Sequence, residues 1–311
     1  MRQDGPKVGT FFALCLLAAL LLSGCNQEET VHKNPQDAIR DGWALISISD
    51  FDRAEIAFTQ AATSSAPGSR DALLARYGLA NAYQHRRPAP RSTDALKLYG
   101  EISHEDKGGE IGAWSALAVA RINHVALYAV GREVPPGSPT GTSALPSAVE
   151  LDVIRTQYQR VIDAFPGTLA AEEAAICIGN LLIEQIEPTR VAAGIKFLRE
   201  WIALNAKSSY LNNAYRAIAV GCDLLKDYKG QLAALLKASE CRIDTDADRS
   251  SEFYRIAYVA DALAGEPDVA RSFYQRLVDN YPTNMRVFLC KRALKRLPAP
   301  PTVLLIKEGA R

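Results

Sequence analysis

Residues 254–282 read YRIAYVADALAGEPDVARSFYQRLVDNYP, and this stretch decides the fold. It opens on Tyr254 and the close pair Ala257-Tyr258, reaches a Gly265 that ends one apolar-periodic segment, carries Ala270 and Tyr274 inside a second, and stops at Pro282. Each residue type has a packing task. Ala270 lets two helices approach, Tyr274 fills the space beside it one helical turn on, Gly265 supplies a left-handed stop, and Pro282 prevents continuation. The stretch predicts a helical hairpin.

One hairpin cannot bury its apolar face, so neighbours of the same kind must complete it. The large residue of the second helix returns as Phe58, Tyr99, Tyr158, Phe197, Leu235 and Tyr274, in steps of 41, 59, 39, 38 and 39 residues. Four places earlier stand Ala54, Ala95, Ile154, Ala193, Gln231 and Ala270. In the first helices the small position reads Gly42, Ala80, Ala118, Gly179, Ala219 and Tyr258. YQRVIDAFP, ending at Pro166, and YQRLVDNYP, ending at Pro282, are nearly identical.

This ladder, with Trp114-x-x-Leu117-Ala118 preserving a family opening, resembles the tetratricopeptide repeat (TPR). The resemblance implies an all-α chain: a right-handed TPR-type α-solenoid of about six helical hairpins over residues 35–297, closed by a C-terminal capping helix. In that family the first helices line an inner face on which extended peptides or partner helices lie. Carried over by position, Tyr77, Asn81, Glu173, Asn180, Asn213, Arg216, Glu252 and Arg255 point toward such a groove. Arg216 and Arg255 hold the same place in adjacent repeats, which suits a carboxylate-bearing peptide. A surface Glu252–Arg255 pair one turn apart is the alternative.

Residues 1–25 stand apart from the ladder. Arg2 and Lys7 precede an apolar run, Val8 to Leu22, that has the length of a signal-peptide core and falls short of the roughly 20 residues a spanning helix needs. Leu22-Ser23-Gly24-Cys25 resembles the bacterial lipobox, which implies cleavage before Cys25 and acylation of that residue. Two or three acyl chains hold a protein on a membrane without spanning it. Asn26 in place of Asp favours the outer membrane where there is one. Residues 26–34 read as a tether.

The rest of the chain is hairpins, except for a Pro-, Gly- and Ser-rich insertion at 131–147 that accounts for the long step, and a tail at 298–311 with an apolar Val303–Ile306 cluster. The expected helices include Glu110 to Val130, Gly230 to Ser239, Glu252 to Ala264 and Thr283 to Leu297. Arg86, Arg87 and Arg91 read as a solvated turn.

Chemistry is sparse. A net charge of +1 gives no reason to expect nucleic acid. The four histidines lack the i, i+4 pairing of a zinc helix, and neither a GxxxxGK[ST] loop nor a GxSxG elbow occurs. Asp244, Asp246 and Asp248 start like a calcium loop, but Arg249 and Arg255 stand where that loop needs Gly and Glu. Asp248 or Ser250 is expected to cap the next helix instead. Cys177, Cys222, Cys241 and Cys290 read as small buried thiols, with pairing across repeats left open. No cofactor, metal or catalytic residue is expected.

The sequence thus points to a non-enzymatic adaptor lipoprotein on the periplasmic face of the outer membrane, gripping a protein or peptide in its groove. The lipobox joined to the repeats resembles outer-membrane assembly lipoproteins of the BamD type and the related CpoB coordinator. An accessory lipoprotein of a peptidoglycan or glycan enzyme, and a surface-exposed interaction protein, are the alternatives.

Overall fold

The computed structural model describes residues 34–128, 146–241 and 245–298. The signal segment with Cys25, nearly all of the tether, most of the 131–147 insertion and the tail beyond Pro298 lie outside the described residues. The described chain is helical throughout and divides into two compact units, with the boundary after Arg87.

The first unit holds α1 (Pro35–Ser47), α2 (Phe51–Ser64) and α3 (Arg70–His85). Side chains set each start. Asn34 accepts from the Gln36 amide at 2.8 Å with Pro35 at the first helical position, Asp50 accepts from Arg53 at 3.3 Å, and Ser69 accepts from Ala72 at 3.2 Å. The buried Phe58 ring fills the space between Gly42 on α1 and Gly78 on α3, and Trp43 meets it edge-on at 5.3 Å. A Cβ on Gly42 would stand 2.7 Å from that ring, so the glycine is a packing requirement. The partner on α3 is Gly78, two places before the expected Ala80, although Ala80 is itself buried. Arg86 is not a solvated turn residue: its guanidinium folds back onto Asp52 at 2.8 Å and Glu55 at 2.9 Å of α2.

The second unit contains α4 (Ser92–Glu105), α5 (Glu110–Ala126), α6 (Ala148–Ala164), α7 (Leu169–Ile183), α8 (Pro188–Leu204), α9 (Leu211–Leu224), α10 (Tyr228–Glu240), α11 (Asp246–Tyr258), α12 (Pro267–Asn280) and α13 (Val287–Arg296). Several edges differ from expectation. α5 ends at Ala126, short of the expected Val130, which lies outside the described residues; α11 starts six residues earlier than expected, and α10 two residues earlier, where Asp227 caps it by accepting from the Gly230 amide at 2.9 Å. Thr245 caps α11 by accepting from the Asp248 amide at 3.1 Å, in place of the expected Asp248 or Ser250. α13 starts only at Val287, since Thr283 to Arg286 are spent on a turn.

Tyr99, Tyr158, Leu235 and Tyr274 are buried as the ladder requires, and so are Ala95, Ile154, Gln231 and Ala270 beside them. One rung is shifted. At this rung of α8 the fully buried large residue is Leu198, not Phe197, and its small partner is Gly194, while Ala193 is exposed. The reason is a close helix approach: a Cβ on Gly194 would lie 2.9 Å from the Gly179 carbonyl oxygen, so only this register lets α7 and α8 touch. In the last hairpin the small position holds Tyr258, which is exposed, and the buried small residue is Ala257 one place before it.

α11 continues into a π-helical turn, Val259–Ala264, which Gly265 ends at φ 69° as the quoted stretch predicts. The extra residue per turn swings Asp261 inward, where it takes the Tyr274 hydroxyl at 3.3 Å and the Arg296 guanidinium of α13. Burial first, and then Asp261, pushes the Tyr274 phenol well above its ordinary range.

Candidate functional site: the first-helix face

Which helices face inward follows from their contacts. In the second unit α5 touches α7 and α7 touches α9, whereas among the described residues no second helix makes matching contact with the next one. From α5 through α7 to α9 the first helices crowd together while the second helices spread, so these first helices lie on the inner side of that stretch. In the first unit α1 and α3 are likewise in contact.

The sequence-predicted residues now separate by environment. On α3, Tyr77 is half-buried with its ring 6.1 Å from that of Trp43, and Asn81 is half-buried one turn on. In the second unit, one slot of three successive first helices holds Glu173, Asn213 and Glu252. Glu173 is committed internally: the Arg121 guanidinium pairs with Oε1 and the Tyr210 hydroxyl donates to Oε2 at 2.9 Å, which ties α5, α7 and the entry to α9 together. Nearby, the Ser208 hydroxyl donates to Glu172 at 2.5 Å. Asn180 is half-buried, and Asn213, Arg216 and Arg255 are exposed.

Glu252 is the unexpected member. It is 3% exposed, faces Arg216 Nε across 4.0 Å, and its Oε1 has no hydrogen-bond partner among the described residues. Burial raises its pKa against the opposing pull of Arg216 and Arg255. Its charged partner in the geometry is Arg216 on the neighbouring first helix rather than Arg255 one turn away. Beside these residues Val220, Leu224 and Tyr258 are exposed apolar side chains of α9 and α11. The outward part of this face therefore offers two arginines and apolar side chains, with the acid withdrawn.

Sequence reading gave His124 no role. The His124 ring lies between Tyr128 and Tyr158, at centroid distances of 5.7 and 5.9 Å, with Nδ1 3.2 Å from the Tyr158 hydroxyl and Nε2 3.4 Å from Glu184. It borders a recess of about 690 Å³ with Tyr128, Leu151, Glu184, Ile186 and Arg190. Glu184 takes the Tyr128 hydroxyl at 3.3 Å and Arg190 pairs with Asp152 at 3.3 Å, so the polar groups of the recess serve the fold. Ile186 stands at φ 62°, a strained position for a β-branched residue. A signal for His124 existed in the sequence, since it falls one turn after Ala120 on the core side of α5, but its tyrosine partner lies 34 residues away.

The four described cysteines are free thiols; Cys222 and Cys290 are buried, Cys177 and Cys241 half-buried. Burial is the leading cause that raises all four pKa values, so none is a ready thiolate nucleophile. Among the described residues no group of three His, Cys, Asp or Glu side chains is placed to hold a metal ion, and no helix is long and apolar enough to cross a membrane.

The tetratricopeptide repeat family profile matches residues 253–284, one hairpin of the chain and nearly the stretch on which the fold was read. No curated protein sequence matches. Among solved structures, pilF of Pseudomonas aeruginosa is similar at a TM-score of 0.50 and 10% identity, over 83% of this chain and 96% of that one. The Cut9 and Hcn1 complex of APC/C aligns at a TM-score of 0.47 and 13% identity, over 91% of this chain but only 45% of the other. A tetratricopeptide repeat protein of Parabacteroides merdae aligns at a TM-score of 0.42 and 13% identity, covering 85% and 98%. The fold is an all-α TPR-type solenoid.

Proposed function

We propose that this chain is a non-catalytic scaffold that grips a protein partner on its first-helix face and is held at the cell envelope by acylated Cys25. The observation that carries the first half is the contrast on that face. Arg216, Arg255, Val220, Leu224 and Tyr258 stand exposed, although α9 and α11 belong to a well-packed core. Exposed arginines flanked by apolar side chains fit a peptide or helix that presents carboxylates beside apolar anchors.

The second half rests on the apolar run followed by Leu22-Ser23-Gly24-Cys25. Such a chain sits on the periplasmic face of the outer membrane and serves envelope assembly, in the manner of BamD-type or CpoB-type lipoproteins.

Cys25→Ala expressed beside wild type tests both halves, by membrane fractionation and affinity capture after cross-linking. The expected result is loss of membrane attachment with the partner retained. Unchanged attachment contradicts the anchor, and capture of no protein by either form contradicts the scaffold. Recovery of barrel-assembly proteins supports the first kinship, and recovery of peptidoglycan synthases the second.

A further inference from the structure

The last helix does not present the plain polar surface that a solenoid cap requires. Residues 283–297 contain Arg286, Lys291, Arg292, Lys295 and Arg296 and no acidic residue. Two of these cations are paired with neighbouring helices of the chain. Arg286 reaches the Ser251 hydroxyl at 3.2 Å and lies 5.3 Å over the Tyr254 ring, and Arg296 pairs with Asp261. Val287, Cys290 and Ala293 bury the inner face of α13.

Lys291, Arg292 and Lys295 remain on the outer face, and apolar side chains project among them: Met285 is 86% exposed, Phe288 67% and Leu289 45%. On a helical projection Phe288 sits at the centre of that face with the three cations around it, and the Arg292 guanidinium lies 5.8 Å from its ring centre.

We propose that this face of α13, with Met285 at its edge, docks on an anionic phospholipid surface. Protein partners ask for something different. A stable protein interface covers about 800 Å² on each side with complementary recesses. α13 is ten residues long, about 15 Å, and shows protrusions. A bilayer interface needs only single apolar side chains that enter the headgroup boundary and cations that meet lipid phosphates. The inference does not depend on the acyl anchor, because it concerns side chains at the opposite end of the sequence.

The test uses the full chain carrying Phe288→Trp, with wild type as the emission background for its three native tryptophans. Tryptophan fluorescence is followed on titration with vesicles of phosphatidylcholine alone, and of phosphatidylcholine with one third phosphatidylglycerol; inorganic phosphate and a soluble polyanion are added in parallel. The proposal expects a blue shift specific to Phe288→Trp, with the anionic vesicles only, that weakens as salt rises.

Adding Lys291→Ala, Arg292→Ala and Lys295→Ala to the reporter chain should weaken the anionic-vesicle response on the order of 100-fold, since each cation near such a surface contributes about fivefold. No vesicle-dependent shift overturns the proposal, as does an equal shift on neutral vesicles. A shift with the soluble polyanion assigns the face to an acidic macromolecule instead. A reporter already blue-shifted without vesicles shows that the chain itself covers the face, and equally overturns it.

Discussion

Glu173 and Glu252 hold the same slot on first helices two repeats apart, yet their surroundings give them opposite energetic signs. Glu173 receives two donors from neighbouring elements and closes a link from α5 to α9. Glu252 is taken out of water with one oxygen unpaired and its nearest cation 4.0 Å away. Buried charge stabilises when its hydrogen bonds are complete and costs free energy when they are not. Between the two lies Asn213, which is exposed and does neither. The repeat therefore fixes where a side chain points, and the neighbours fix what it does there.

The comparison presumes one register for all first helices, and the sharpest way to break it is at the shifted rung. Leu198→Ala is expected to cost about 2–5 kcal/mol, while Phe197→Ala, at a half-buried position, costs clearly less. Urea denaturation of both variants checks this; equal costs would put the ladder back on Phe197.

A smaller effect is expected at Glu173. Removal of its carboxylate by Glu173→Ala leaves Arg121 and Tyr210 without their acceptor and should cost about 1–2 kcal/mol, moderated because Arg121 is partly exposed and regains water. A double-mutant cycle with Tyr210→Phe should show coupling between the two sites. Simple additivity would mean that the link across the repeats carries no energy.

Glu252→Gln should act in the reverse direction. Burial holds the folded-state pKa of Glu252 above the ordinary carboxylate value, so the folded chain binds this proton more tightly than the unfolded chain. Its stability contribution is complete below the ordinary carboxylate range and is lost as pH rises through the folded value. At pH 7 the amide should be as stable as wild type or more stable by about 1 kcal/mol, with the difference vanishing toward pH 4. Urea midpoints across pH 4–7 decide it, and a less stable amide at pH 7 contradicts the reading of Glu252 as an incompletely paired acid.

Arg255→Ala should move stability by less than about 0.5 kcal/mol, because the side chain is exposed. Under the proposed function its effect falls on partner capture.

Much of the fold was legible because small and large apolar residues return at a nearly constant step, and Phe58, Tyr99, Tyr158, Leu235 and Tyr274 are buried where that step puts them. The rung at Phe197 was misread because Phe197 and Leu198 are adjacent large apolar residues and the aromatic one fits the pattern. The deciding feature was the approach of Gly194 to Gly179, two glycines from different helices. The site was less legible. An acid one turn from an arginine reads as a surface pair, and nothing local to Glu252 shows that Phe253 and its core neighbours draw it inward. Glu173 looked available for a partner because Arg121 and Tyr210 stand 52 and 37 residues from it.

The account turns on the first-helix face of α9 and α11 being the surface that grips a partner. A photo-reactive benzoyl-phenylalanine placed at Arg216 or Arg255 in the full chain, with Lys196 on the exposed side of α8 as the control position, tests this most directly in living cells. The account predicts a discrete protein adduct from positions 216 and 255 and none from 196. Adducts of equal yield from all three positions, or from 196 alone, would contradict it.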